Sequence, residues 1–181
     1  MRKSILSSFV LTALAATMLA ACSPTYNWRD YNSPTAPFSA MFPDKPVTHT
    51  RSVNLDGMNA DMTMTAAEID GAMFAIGTGE APDAAKAAAA VSAMKIALVK
   101  NIGATVTSEK ASATATAGGA APTQGASIDI EAKGMQNGVP MRLVGHFESR
   151  GRRFYQVIVM GKEKSVPQDE VDMFMRSFKP N

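Results

Sequence analysis

At 181 residues the chain has room for one ordinary domain, and 46% hydrophobic with 19% charged residues is a globular composition. The formal charge of +2 rests on Arg2 and Lys3; without them 16 Lys and Arg stand against 16 Asp and Glu. A neutral chain lacks the basic face that displaces counterions from phosphates, which argues against a nucleic-acid partner. A single cysteine, Cys22, rules out an intramolecular disulfide.

The amino-terminal residues Met-Arg-Lys-Ser form a short positive segment, followed by an apolar run from Ile5 to Ala21. Its 17 residues fall short of the roughly 20 that span a bilayer as a helix. The run ends in small residues, as a cleavage region does. Residues 1–21 therefore read as a signal peptide.

Leu19-Ala20-Ala21-Cys22 closes this run and resembles the lipobox of bacterial lipoproteins. That resemblance implies diacylglycerol on the Cys22 thiol, cleavage before Cys22 with Leu19, Ala20 and Ala21 read by the signal peptidase, and an acylated new amino terminus. Each buried methylene contributes about 0.8 kcal/mol, so two or three chains hold where one would slip. Ser23 follows where enteric lipoproteins retained in the inner membrane carry Asp. The outer membrane, periplasmic face, is thus the expected address, ahead of the inner membrane.

Residues 22–37 contain Pro24, Pro34 and Pro37 and suit a lipidated tether. Tyr26, Trp28 and Tyr31 are many aromatics for a spacer; packing on the domain is favoured over seating at lipid headgroups. The domain proper is expected over 38–181. Phe38–Phe42 predicts a short strand, and 47–55 alternate weakly. In Ala60–Ile69, Ala60, Met62 and Met64 alternate with Asp61, Thr63 and Thr65, a half-buried strand. Asp70-Gly71 predicts a two-residue hairpin turn into Ala72–Gly77.

Pro82-Asp83 opens a helix with Asp83 as its cap. Ala87, Val91, Met94 and Leu98 form its apolar stripe, and Gly103 stops it. Residues 104–117 predict a thin strand, and Gly118–Gly125 a flexible loop. Ser127–Lys133 alternates Ile128 and Ile130 with Asp129 and Glu131; Met141–Ser149 places Met141, Leu143 and Phe147 on one face. A turn at Arg150-Gly151-Arg152 leads to Phe154–Met160, apolar on both faces and so central. Pro167–Phe178 predicts a short helix with Asp169 and Glu170 in its first turn and Val171, Phe174 and Phe178 buried.

Strands interrupted by one long and one closing helix predict an α+β domain, an antiparallel sheet covered by both helices. Trp28-Arg29, the Phe-x-x-x-Phe-Pro of 38–43, Arg153-Phe154-Tyr155-Gln156-Val157 and the Phe-Met-x-Ser-Phe of 174–178 resemble small exported bacterial proteins of Mog1/PsbP-like outline. The resemblance implies that fold and brings no catalytic residue.

The chemistry-bearing residues are few. Two histidines, His49 and His146, are too few for a zinc site, and His146 reads as a strand residue beside Arg142 and Glu148. Methionine is abundant, 13 in all. Met58, Met62 and Met64 are soft donors of the kind Cu(I) prefers, yet they read better as gap-filling core. Gly77-Thr78-Gly79 lacks the context of a phosphate loop, and no nucleophile motif appears. Arg150, Arg152 and Arg153, with Lys162 and Lys164, form a basic cluster. It reads first as a solvated hairpin, and otherwise as a partner or headgroup surface.

No catalytic residue, metal or cofactor is expected. The expected partners are the membrane, through lipid on Cys22, and an envelope protein or lipid. The sequence thus predicts a membrane-anchored periplasmic lipoprotein, a non-enzymatic binding or assembly accessory of the cell envelope. The alternative is a carrier of a lipid or other apolar ligand, which a Met- and Ala-lined pocket would favour.

Overall fold

The computed structural model describes residues 25–114 and 125–181. Its elements run β1 (Arg29–Asn32), β2 (Phe38–Phe42), β3 (Val47–Leu55), β4 (Met58–Ile69), β5 (Ala72–Glu80), α1 (Ala84–Asn101) and β6 (Ala104–Thr114). They continue β7 (Gly125–Gln136), β8 (Val139–Arg150), β9 (Arg153–Lys162), a 3-10 turn (Glu163–Ser165), α2 (Gln168–Ser177) and β10 (Lys179–Pro180). Cys22 and most of the 118–125 loop lie outside the described residues.

Two-residue turns set the long ladders. Asp70 and Gly71 both take positive φ, 51° and 75°, the conformation that matches strand twist in a tight hairpin. Asn137 and Gly138 repeat it between β7 and β8, at 51° and 76°. The result is a seven-stranded antiparallel sheet in the order β3-β4-β5-β9-β8-β7-β6. β9 is the middle strand, as its two apolar faces require.

Each face of that sheet carries a cover. On one side lies α1, begun where Asp83 Oδ1 accepts the Lys86 amide at 2.8 Å and ended by Gly103 at φ 59°. Its buried stripe is Ala87, Ala90, Val91 and Met94; small side chains bring the helix close to Leu143, Phe147, Phe154 and Ile158 of the sheet. On the other side lie α2 and a second sheet, β1-β2-β10, packed on Phe74, Ile76, Tyr155, Val157 and Val159. Adjacent residues of β9 therefore enter different cores.

The expected α+β architecture, one antiparallel sheet covered by a long and a short C-terminal helix on a Mog1/PsbP-like outline, is overturned. Strands make up 58% of the described residues and helices 21%, in two separate antiparallel sheets of seven and three strands. Periodicity marks only the part of a strand whose faces differ in polarity, so the strands are longer than it shows: β7 and β8 have 12 residues each. Nor does it mark β1, inside a proline-broken segment, or β10, two residues long.

Tyr26, Trp28 and Tyr31 pack on the domain. Phe74 holds the joint: its ring lies 5.9 Å from Trp28, 6.2 Å from Tyr26 and 5.4 Å from Phe174, all edge-on. Phe42 meets Phe174 at 5.3 Å, and Trp28 Nε1 donates to Glu170 at 3.0 Å. Phe74 is fully buried, so Phe74→Ala is expected to cost about 3–5 kcal/mol. Ile96→Ala, on the solvent face of α1, is expected to change stability by less than about 0.5 kcal/mol. Urea midpoints at unchanged slope check both.

Candidate functional site

Antiparallel register places unlike residues of distant sequence side by side. Lys110 of β6 pairs with Asp129 of β7, and Asp129 with His146 of β8. Glu148, two residues along β8, shares the face of His146. The carboxyl-terminal segment then passes over this corner: Phe178 lies 6.4 Å from the His146 ring and 5.5 Å from Tyr155, between ring centres.

Between that segment and the β6-β7-β8 face lies an open groove of about 590 Å³. Phe178, Met175 and Val144 line it with apolar atoms, and Lys110, Arg176 and Arg150 bring positive charge to it. His146 lies inside it, flanked on both sides. Its Nδ1 is 2.6 Å from Asp129 Oδ1, and its Nε2 is 3.5 Å from Glu148 Oε2. Glu148, only 4% exposed, is in turn held by Arg150 Nε at 3.2 Å.

Burial disfavours the imidazolium, but hydrogen bonds to Glu148 and Asp129, and their charges, outweigh it and raise the His146 pKa above 6.5. Burial likewise works against Glu148 as an anion, yet the His146 hydrogen bond and the Arg150 charge leave its pKa below 4.5. The carboxylates stand on opposite sides of the ring rather than converging on one point. Among the described residues, no group of three or more His, Cys, Asp or Glu is placed to hold a metal ion.

The other sequence-predicted residues fall as follows. Leu19, Ala20, Ala21 and Cys22 lie outside the described residues. Arg150, Arg152 and Arg153 do meet, at the β8–β9 turn, each against a carboxylate. Arg150 reaches Glu148; Arg152 and Arg153 reach Glu80 at 3.5 and 3.3 Å. Arg152 also donates to Ala81 O at 3.1 Å. Lys162 and Lys164 are not part of that cluster: they stand at the other end of β9. His49 lies on β3, an edge strand, paired across to Met64.

Met58, Met62 and Met64 pack into the α1-side core. Met62 and Met64 fold over Gly77, where an added Cβ would lie within 2.6 Å of both. Gly77-Thr78-Gly79 is strand β5, not a loop. Asp129, Lys110 and Phe178 were not legible as site residues; only the strand register and the path of the last residues bring them to His146.

No protein-family model matches the chain, and no curated protein matches it. Among solved structures it is similar to PA94, a protein of unknown function from Pseudomonas aeruginosa, at 12% identity and a TM-score of 0.34. The match covers 81% of this chain and 90% of that one.

The two shifts fix a pH dependence. A raised His146 pKa contributes stability in full below 6.5 and loses it as pH rises through the raised value. A lowered Glu148 pKa contributes above 4.5 and loses it as pH falls through the lowered value. His146→Gln is therefore expected to destabilise most below pH 6.5 and progressively less above it. Urea unfolding of parent and variant across pH 5–8 checks this; a pH-independent difference would refute it.

Proposed function

We propose that this chain is a bacterial lipoprotein. Residues 1–21 are removed, Cys22 carries lipid, and the domain stands on the periplasmic face of the outer membrane. There it acts as a non-enzymatic binding or assembly accessory of the cell envelope. The observation that carries the role is the groove at His146, open and lined by both apolar and charged side chains. Such a surface suits a segment of a protein partner better than a small reacting molecule.

Two further features support this reading. Both ring nitrogens of His146 are engaged by carboxylates, which leaves neither free for proton transfer to a substrate. A lipid carrier needs an enclosed apolar chamber. The two layers with room for one are occupied by packed side chains on either side of the seven-stranded sheet.

The anchor is tested by Cys22→Ser, which is expected to accumulate as uncleaved precursor without fatty acid; normal maturation would remove the assignment. The role is tested by placing a photo-crosslinking residue at Lys110 or Arg176 in the intact envelope, with Ile96 on α1 as control. A defined protein captured from the groove positions alone is the expected outcome. Recovery of lipid alone would establish the carrier instead.

A further inference from the structure

The described chain begins close to where the lipid would be. Thr25 is the first described residue, and the Asn27 amide already donates to Pro43 O at 2.8 Å. From Cys22 to the packed Tyr26 ring is four residue steps, which reach at most about 14 Å when fully extended. A domain on so short a leash cannot turn freely over the bilayer. The end of the sheet nearest Tyr26 is the end that meets lipid.

Several observations locate that end. Tyr26 packs on Phe74, two residues beyond Ala72 at the start of β5, and Trp28 Nε1 donates to Glu170 in the first turn of α2, so the chain joins the domain beside the β4–β5 turn and the start of α2. Strand register carries this level across the sheet: Ala72 pairs with Gly161, Gly161 with Arg142, and Arg142 with Lys133. Beyond it the β7–β8 hairpin continues for three more pairs, Gly134 with Met141, Met135 with Pro140 and Gln136 with Val139. At about 3.4 Å per residue the hairpin tip projects roughly 10 Å past the β4–β5 turn.

That tip carries exposed apolar side chains on both its faces, Met135 with Pro140 on one and Val139 beside Gln136 on the other. Met135 is 60% and Val139 37% exposed, and Pro140 pairs with Met135 on the same face. The Asn137-Gly138 turn holds the two strands in a fixed hairpin. Basic residues stand at the same end of the fold: Lys162 pairs with Met141 of β8, Lys164 follows in the 3-10 turn, and Lys100 lies in the last turn of α1. Lys133 is matched by Glu163 at 2.5 Å. Asp70, Asp169 and Glu170 lie on the other corner of this end, toward the small sheet. The charge asymmetry favours the hairpin corner as the one that approaches anionic headgroups.

We propose that the β7–β8 hairpin tip, Met135 to Pro140, is a membrane-contact element that dips into the headgroup layer beside the lipid on Cys22. The proposal rests on the lipoprotein reading. Two apolar side chains bind weakly alone, but a tether of this length holds them at high effective concentration over the surface.

The test uses the acylated protein reconstituted in vesicles of phosphatidylethanolamine and phosphatidylglycerol. Single substitutions Met135→Cys and Val139→Cys, with Ile96→Cys and Arg152→Cys as controls, each carry an environment-sensitive fluorophore. At 135 and 139 the emission is expected to shift to the blue and to be quenched by nitroxide-labelled lipid; at 96 and 152 it is expected to stay as in buffer. Equal emission at all four positions, in protein that still floats with the vesicles, would overturn the membrane-contact element alone. Protein matured from the full chain that carries no fatty acid and fails to float would overturn the lipoprotein reading and this proposal together.

Discussion

Everything distinctive about this domain depends on burying both faces of one sheet. Tyr155, Val157 and Val159 of β9 point to one core while Phe154 and Ile158 point to the other, so neither cover can be removed without exposing large side chains. One cover is a single alanine-lined helix. The other is assembled from the two ends of the described chain, β1 and β2 from the front and α2 and β10 from the back. They are locked together by aromatic rings meeting at Phe74.

That assembly shapes the groove. Because β10 pairs with β2, Lys179 opposite Ser39 and Pro180 opposite Phe38, the chain after α2 must cross toward β2 over the β8 side of the sheet. Phe178 is fixed on that path, against Phe38 and Tyr155. Its other edge overlooks His146. The second cover is too narrow to reach β6 and β7, and the uncovered corner is where Asp129, His146 and Glu148 are found. The polar groups there satisfy one another, His146 with Asp129 and buried Glu148 with Arg150, and Asp129 carries the row out to solvent.

Elements with strong local causes were legible in the sequence. Asp83 and Gly103 bound α1 because a cap and a left-handed stop act within one helical turn. Asp70-Gly71 defines its hairpin for the same reason, and the apolar run of β9 gives its central place. The second sheet was not legible, because β1 and β10 have no pattern of their own and exist through pairing with β2. The site was not legible: His146, Glu148 and Arg150 lie close in sequence, but His146 reads there as an ordinary strand residue, and Asp129 joins them only through register. The basic cluster shows the converse error. Arg152 and Lys162 are ten positions apart, and a strand of that length, roughly 30 Å, carries them to opposite ends of the molecule.

This separation gives the domain a polarity with mechanical consequences. The chain joins the domain at the end bearing the β4–β5 and β7–β8 turns, whereas Arg150, Arg152 and Arg153 cap the far end, about eight residues or 27 Å along β8 from Arg142. The groove runs between these levels, from Glu131 near the first to Arg150 at the second. A partner segment lying in it would run along the strands of β7 and β8 and meet the arginine turn last. The arginines of that turn are each held by a carboxylate, Arg150 by Glu148 and Arg152 and Arg153 by Glu80. Of the three, Arg150 lines the groove, while Arg152 and Arg153 turn to Glu80 beside it.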